Sequence, residues 1–223
     1  MADTVPQSGK RVIVLAGGII ESMEFLRRTI EEMENTVVIC ADGGCRHLRL
    51  IDVVPSMIVG DMDSVLTETL DHFVKKGARV KVSRAEKDET DTELALKEAI
   101  ALQPSEILIL GALGARFDHA VANLHLLVMG DRSGIRTKIV DENCEIFIVS
   151  DEWEISGAKG ETVSLFSFSS TVRGITLAGF EYPLVKGVME VGVPCGVSNR
   201  LAEDRGLIAV DSGYLLVIRQ FHL

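Results

Sequence analysis

Residues 106–141 read EILILGALGARFDHAVANLHLLVMGDRSGIRTKIVD. Glu106–Leu110 is a short, almost wholly apolar run bounded by glycine, the pattern of a strand buried on both faces. A loop carrying Gly111 and Gly114 follows, then a helical pattern over Asp118–Met129, then a second strand-like run at Thr137–Asp141. Strand, helix, strand is a βαβ unit, and its two strands run parallel because the helix carries the chain back across the sheet. The same alternation extends toward the start of the chain. Arg11–Ala16, Thr36–Ala41, Ser56–Gly60 and Arg79–Ser83 are strand-like, while Ser22–Glu34, Arg46–Leu50, Thr67–Lys76 and Asp91–Leu102 are helix-like. The expectation is an α/β domain with a mostly parallel sheet and helices on both faces. The first ten residues read as a loose polar tail.

Beyond Asn143 the pattern changes. Glu145–Val149, Thr162–Phe168, Gly174–Leu177, Gly187–Val191 and Leu207–Ile218 are strand-like, with Gly, Ser or Pro between them and no convincing helix. Such a series predicts an all-β sandwich or barrel, of which the sandwich is the expectation carried forward. The expected division is therefore an α/β domain over 1–143 and a β-sandwich domain over 144–223.

Composition narrows the function. The 223 residues include 33 Asp and Glu against 23 Lys and Arg, a formal charge of −10. An ordinary hydrophobic content of 47% predicts a soluble globular chain. The acidic balance argues against nucleic acid or a membrane surface as partner, since both need a basic patch. The apolar run Val12–Ile20 is too short to span a bilayer. Cys40, Cys45, Cys144 and Cys195 form no CxxC pair and read as reduced thiols of a cytoplasmic protein.

Open parallel sheets bind ligands beyond the carboxyl ends of their strands, and five such ends carry polar or glycine-rich segments. They are Gly17-Gly18, Asp42-Gly43-Gly44, Gly60-Asp61-Met62-Asp63-Ser64, Lys87-Asp88-Glu89-Thr90-Asp91, and the stretch from Gly111 to His119. If residues 61–63 are extended, Asp61 and Asp63 point the same way and repel unless a hard cation joins them. Mg²⁺, which takes one or two carboxylates, waters and phosphate oxygens, suits such a pair. Thr90 with Glu93 fits a helix capping box, and a helix start that presents free N–H groups suits phosphate. Lys87 and Arg116 supply cations for phosphate oxygens. Asp118 has the position of a helix N-cap. His119 and Asn123, spaced i and i+4, share one helix face, expected to lie away from the Leu124, Leu127 and Val128 stripe. No P-loop, dinucleotide fingerprint or nucleophile elbow is present. The set points to a polyphosphate held with Mg²⁺.

These segments also carry a resemblance. Ala41-Asp-Gly-Gly44, Gly60-Asp-Met-Asp-Ser64, Lys87-Asp-Glu-Thr-Asp91 and Gly111-x-x-Gly-x-Arg-Phe-Asp-His119 with Asn123 resemble, in order and spacing, the thiamine pyrophosphokinase (thiamine diphosphokinase) family. Gly174–Leu184 and Gly196-Val-Ser-Asn199 extend the similarity, so that it covers about residues 11–219. Met62 stands where Phe is common in the family, and Arg200 where an acid is frequent. The resemblance implies transfer of a pyrophosphoryl group from ATP to the thiamine hydroxyl, giving thiamine diphosphate and AMP. It implies Mg²⁺ on Asp61, Asp63 and Asp91, with Asp118 joining these three as catalytic. Asp42, Gly43, Lys87, Asp88, Thr90, Arg116, His119 and Asn123 would line the nucleotide, and Ser198 and Asn199 would contact thiamine. It also implies a homodimer with sites shared between subunits. Either Asp91 or Asp63 would accept the hydroxyl proton. Three rivals remain at this stage: a diphosphokinase for another alcohol such as a hydroxymethylpterin, a non-catalytic nucleotide or thiamine diphosphate sensor, and a Mg²⁺-dependent nucleotide phosphohydrolase.

Overall fold

The computed structural model describes residues 9–33, 35–84, 86–114 and 116–221. Most of the expected polar tail, residues 1–8, lies outside that range, as does His222. The chain divides into two compact units, one ending at Asp141 and one beginning at Glu142.

The first unit is built on six strands: β1 (Arg11–Leu15), β2 (Thr36–Ala41), β3 (Met57–Gly60), β4 (Arg79–Val82), β5 (Glu106–Leu110) and β6 (Arg136–Val140). They lie in the order β6-β5-β1-β2-β3-β4, and every pair is parallel. The helices are α1 (Met23–Glu31), α2 (Cys45–Ile51), α3 (Thr67–Lys75), α4 (Asp91–Ala101) and α5 (Phe117–Arg132), with a short 3₁₀ turn at Asp42–Gly44 leading into α2. Leu26 of α1, Leu48 of α2 and Phe73 of α3 share one apolar cluster with Ile13, Leu15, Val38, Cys40 and Ile58. Strand side chains alternate between faces, so Val12, Val14 and Ile39, all buried, point to the opposite side. There α4 crosses β1, β2 and β3. The expected parallel sheet with helices on both faces is what forms.

Local chemistry sets the helix ends. Ser22 Oγ accepts the Phe25 N–H at 3.0 Å and starts α1. That helix stops at Glu31, short of the expected Glu34, and the chain turns into β2 through Asn35, a residue type that tolerates its left-handed φ of 56°. Thr90 Oγ1 accepts the Glu93 N–H at 3.1 Å, the first half of the expected capping box. The cap of α5 departs from expectation. Arg116 occupies the cap position without a side-chain cap bond, and Asp118 falls inside the first turn.

The second unit holds β7 (Cys144–Val149), β8 (Glu152–Ser156), β9 (Thr162–Ser167), β10 (Thr171–Ala178), β11 (Leu184–Glu190), β12 (Gly196–Arg200), β13 (Arg205–Ala209) and β14 (Leu215–Gln220). β12-β9-β14-β7 form one antiparallel array and β11-β10-β13-β8 another. Phe147, Val163, Leu165 and Val217 from the first share a core with Trp153, Ile155, Val172 and Ile208 from the second, as a sandwich requires. Three sequence expectations change here. β8 was not anticipated, although Trp153 and Ile155 alternate with exposed Glu152, Glu154 and Ser156. Leu207–Ile218 is two strands, not one, because Gly213 turns the chain at φ 95°. Ser198 and Asn199, whose residue types alone favour a turn between strands, lie instead within β12, which has a register shift and Ser198 at φ 61°.

Candidate active site

In the first unit the sheet reverses its direction of growth between β1 and β5. β2, β3 and β4 extend to one side of β1, while β5 and β6 extend to the other. Loops leaving two neighbouring strands toward opposite sides open a crevice, the usual ligand position in such sheets. The crevice here has a volume of about 400 Å³. Its floor is glycine. Gly18 N–H donates to Gly111 O at 2.7 Å, and a Cβ on Gly18 would lie 2.3 Å from both Gly111 O and Leu113 O. The loops after β1 and β5 can therefore touch only through a residue without a side chain.

The acids assemble from three strand ends. Asp42, Asp61 and Asp91 each present a carboxylate oxygen, all within 4.8 Å of one another. Gly60 creates the room: its φ is 151°, and a Cβ there would meet Asp42 Cβ at 2.9 Å and Asp91 Cγ at 3.2 Å. Asp42 is only 3% exposed. Burial, then the charges of Asp91 and Asp61, push its carboxyl above the usual range, against hydrogen bonds from the Ser64 and Gly43 N–H groups. Three converging carboxylates beside a single ammonium, that of Lys87, repel one another. Their hard oxygens fit Mg²⁺, which would remove that repulsion.

Asp63, expected in the metal set, stands outside this cluster. Met62 adopts φ 66°, so the segment is not extended and the two carboxylates do not share a side. Asp61 Oδ1 instead accepts the Asp63 N–H at 3.3 Å, and Asp63 Oδ1 accepts Ser64 Oγ at 2.7 Å. Asp42, expected to line the nucleotide, is the third member of the cluster.

The remaining residues divide by what they touch. Lys87, largely buried, donates to Asp91 Oδ1 at 2.5 Å and to Ser83 Oγ at 2.6 Å. Gly43, Lys87, Thr90, Arg116, His119 and Asn123 all line the crevice. Asp88 and Asp118 are exposed and are not part of its wall. Asp118 holds Arg116 in a two-point pair, Nε to Oδ1 at 3.2 Å and Nη2 to Oδ2 at 2.5 Å, and the guanidinium draws its carboxyl down to about 2. Asn123 sits on the buried face of α5 with Leu126, Leu127 and Gly130, not away from it, and donates to Ala112 O at 2.8 Å.

Two further residues lie outside the motifs read from the sequence. Arg46 of α2 lines the crevice and donates from Nη2 to Gly17 O at 2.5 Å and Gly18 O at 2.9 Å. His47 Nε2 lies 2.8 Å from Gly18 O, and burial lowers its pKa. Both tie α2 to the first loop. A cation one turn beyond Asp42 was the available hint.

In the second unit, Ser198 is exposed and its N–H donates to Ser164 Oγ at 3.1 Å. Asn199 is buried. Its Oδ1 accepts the Tyr182 N–H at 3.1 Å and the Arg200 N–H at 2.8 Å, and its Nδ2 donates to Tyr182 O at 2.9 Å. Its amide is thus engaged with backbone and fixes β12 against the Glu181–Tyr182 turn.

Residues 31–139 match the model of the thiamin pyrophosphokinase catalytic domain, and residues 146–215 match that of the thiamin pyrophosphokinase vitamin B1 binding domain. The chain belongs to the thiamine pyrophosphokinase family. A thiamine pyrophosphokinase of Bacillus subtilis (strain 168) is 31% identical over 212 residues, spanning 94% of this chain and 98% of that relative. The crystal structure of thiamine pyrophosphokinase from Bacillus subtilis superposes with a TM-score of 0.84 at 30% identity, covering 96% of this chain and 100% of that one. Thiamin pyrophosphokinase from Candida albicans, at 18% identity, shares the fold with a TM-score of 0.79 over 95% of this chain and 89% of its own. Both parts of the thiamine pyrophosphokinase fold are thus present in sequence order.

Proposed function

We propose that this chain transfers the pyrophosphoryl group of ATP to the hydroxyl of thiamine, giving thiamine diphosphate and AMP. The observation that carries the reading is the Asp42–Asp61–Asp91 cluster beside a glycine-floored crevice, in a chain of this family. The hydroxyl oxygen of thiamine attacks the β-phosphorus of ATP. The bond from that phosphorus to the oxygen bridging the α-phosphate breaks, AMP leaves with the electron pair, and the hydroxyl proton passes to the carboxylate of Asp91 or of Asp63.

In this reading Asp42, Asp61 and Asp91 hold Mg²⁺, and Asp63 braces their loop through Ser64. When bound, the ion offsets the charge of the triphosphate and of the leaving group. Lys87 and Arg116 supply fixed positive charge to the phosphates, each kept in place by an aspartate. The glycine loops bring backbone N–H groups close to the same oxygens. Residues 1–143 form the ATP- and Mg²⁺-binding domain and 144–223 the thiamine-binding domain. Ser198 presents the contact to thiamine from a backbone that Asn199 holds. The same reading includes a homodimer with shared sites and a cytoplasmic location.

Incubation with ATP, Mg²⁺ and thiamine should give AMP and thiamine diphosphate in equal amounts, read by chromatography. ADP with phosphate, or AMP formed as fast without thiamine, would overturn the proposal. Asp61→Asn should abolish this turnover, and with it the rise in thermal midpoint that Mg²⁺ produces in the parent. A variant that kept both would remove Asp61 from the metal set.

A further inference from the structure

Three cationic side chains line the crevice, and their charges are not equally available. Lys87 is paired with Asp91, and Arg116 with Asp118. Arg46 makes no ion pair among the described residues; its Nη2 donates only to the carbonyl oxygens of Gly17 and Gly18. A guanidinium has five N–H donors, so Nε and Nη1 remain available to a ligand while its full charge stays uncompensated. The two carbonyls hold one edge of the planar group, which removes much of the rotamer freedom that binding would otherwise cost. Its position is also informative. Arg46 closes onto the first glycine loop at the edge of the crevice, whose wall also carries the acids Asp42 and Asp91.

We infer that Arg46 is a binding residue for the polyphosphate tail of the nucleotide and sets the preference for ATP over AMP. This rests on the activity proposed above only for the identity of the nucleotide. A carboxylate-free cation is attracted to each added phosphate charge, whereas the two paired cations present a weaker net field. Arg46 therefore discriminates by phosphate count, which neither its neighbouring aspartates nor the glycine loops can do.

The test compares Arg46→Met and Arg46→Lys with the parent chain by calorimetric titration with ATP and with AMP, in parallel with thermal melting. Arg46→Met should weaken ATP roughly tenfold or more and AMP much less. Arg46→Lys should recover part of the ATP loss, since it keeps the charge and loses only the fork. In steady state the change should fall on KM for ATP and leave KM for thiamine in place. A merely structural role, bracing the Gly17–Gly18 loop, would instead lower the melting midpoint and weaken ATP and AMP alike. That pattern, or unchanged ATP affinity in Arg46→Met, overturns the inference. The two proposals fail separately: a parent chain that binds ATP but forms no thiamine diphosphate removes the activity alone, and one that binds no ATP removes both.

Discussion

Arg116 and Asp118 stand two residues apart at the start of α5 and show how an exposed pair can govern a site residue without a large effect on stability. Both side chains are solvent-accessible, so their pairing is screened and adds little to folding. The titration is nevertheless informative. Asp118 ionises at about 2, below the ordinary carboxylate value, chiefly because of its hydrogen bonds with Arg116. A depressed acid contributes its stabilisation in full above the unfolded value near 3.9 and loses it as pH falls through about 2. Between pH 5 and 9 the pair therefore stays charged, and any pH dependence of activity there comes from other groups. Carbon-detected NMR should place the Asp118 midpoint near 2 in the parent and return it close to 3.9 in Arg116→Ala. An unchanged midpoint would show that the pair does not persist in solution. Much of the residue-level site was legible in advance because motif residues at strand ends have few structural uses in combination. The acidic cluster was only half legible. Asp42 joins Asp61 and Asp91 because β2 and β3 are adjacent and Gly60 lacks a side chain, and Asp63 drops out because Met62 enters the left-handed region. Neither spacing nor residue type encodes those two facts. The place of Arg46 was hard to read for the same reason: its partners are carbonyls 28 and 29 residues earlier.

At the scale of elements, the crevice depends on how closely two loops approach. The loop after β1 meets the loop after β5 through Gly18, where an added methyl would overlap two carbonyl oxygens at 2.3 Å. Backbone atoms cannot swing aside as a side-chain tip can. Gly18→Ala should therefore cost about 1–3 kcal/mol, measured by urea denaturation, and should weaken ATP binding because the loops must part. Equal stability and affinity would mean that the loops are further apart than described. Elements in this unit were legible because apolar strands and amphipathic helices alternate with different periods. Those of the second unit were less so. β12 consists of Gly-Val-Ser-Asn-Arg, with no alternation to mark it, and its place in the sheet comes from pairing with β9 and from the Asn199 amide. Pairing partners, not propensity, make it a strand.

At the scale of the whole molecule, the first unit gathers Asp42, Asp61 and Asp91 into one cluster, whereas in the second unit two buried acids share one cation. In the sandwich, Arg219 of β14 bridges Glu145 of β7 at 3.0 Å and Glu161, just before β9, at 2.7 Å, with all three side chains at 14% exposure or less. Removing the shared cation leaves two buried carboxylates without their guanidinium, so Arg219→Met should destabilise the chain by about 3–5 kcal/mol. Chemical denaturation followed through Trp153, which stacks on Phe147 in the sandwich core, would register the loss. A change below about 1 kcal/mol would show that the triad is not a structural tie.

The order of the parallel sheet has a consequence for synthesis. β1 lies between β2 and β5, and its edge toward β5 is synthesised 95 residues before its partner, so that Arg11 must wait for Glu106. At ordinary translation speed that delay is on the order of ten seconds. Throughout it, Val12, Ile13, Val14 and Leu15 would present an unpaired, fully apolar edge, the kind of template on which nascent chains associate. Only when β5 closes that gap do the two glycine loops meet. The crevice therefore cannot exist before β5 has covered the most adhesive edge of β1.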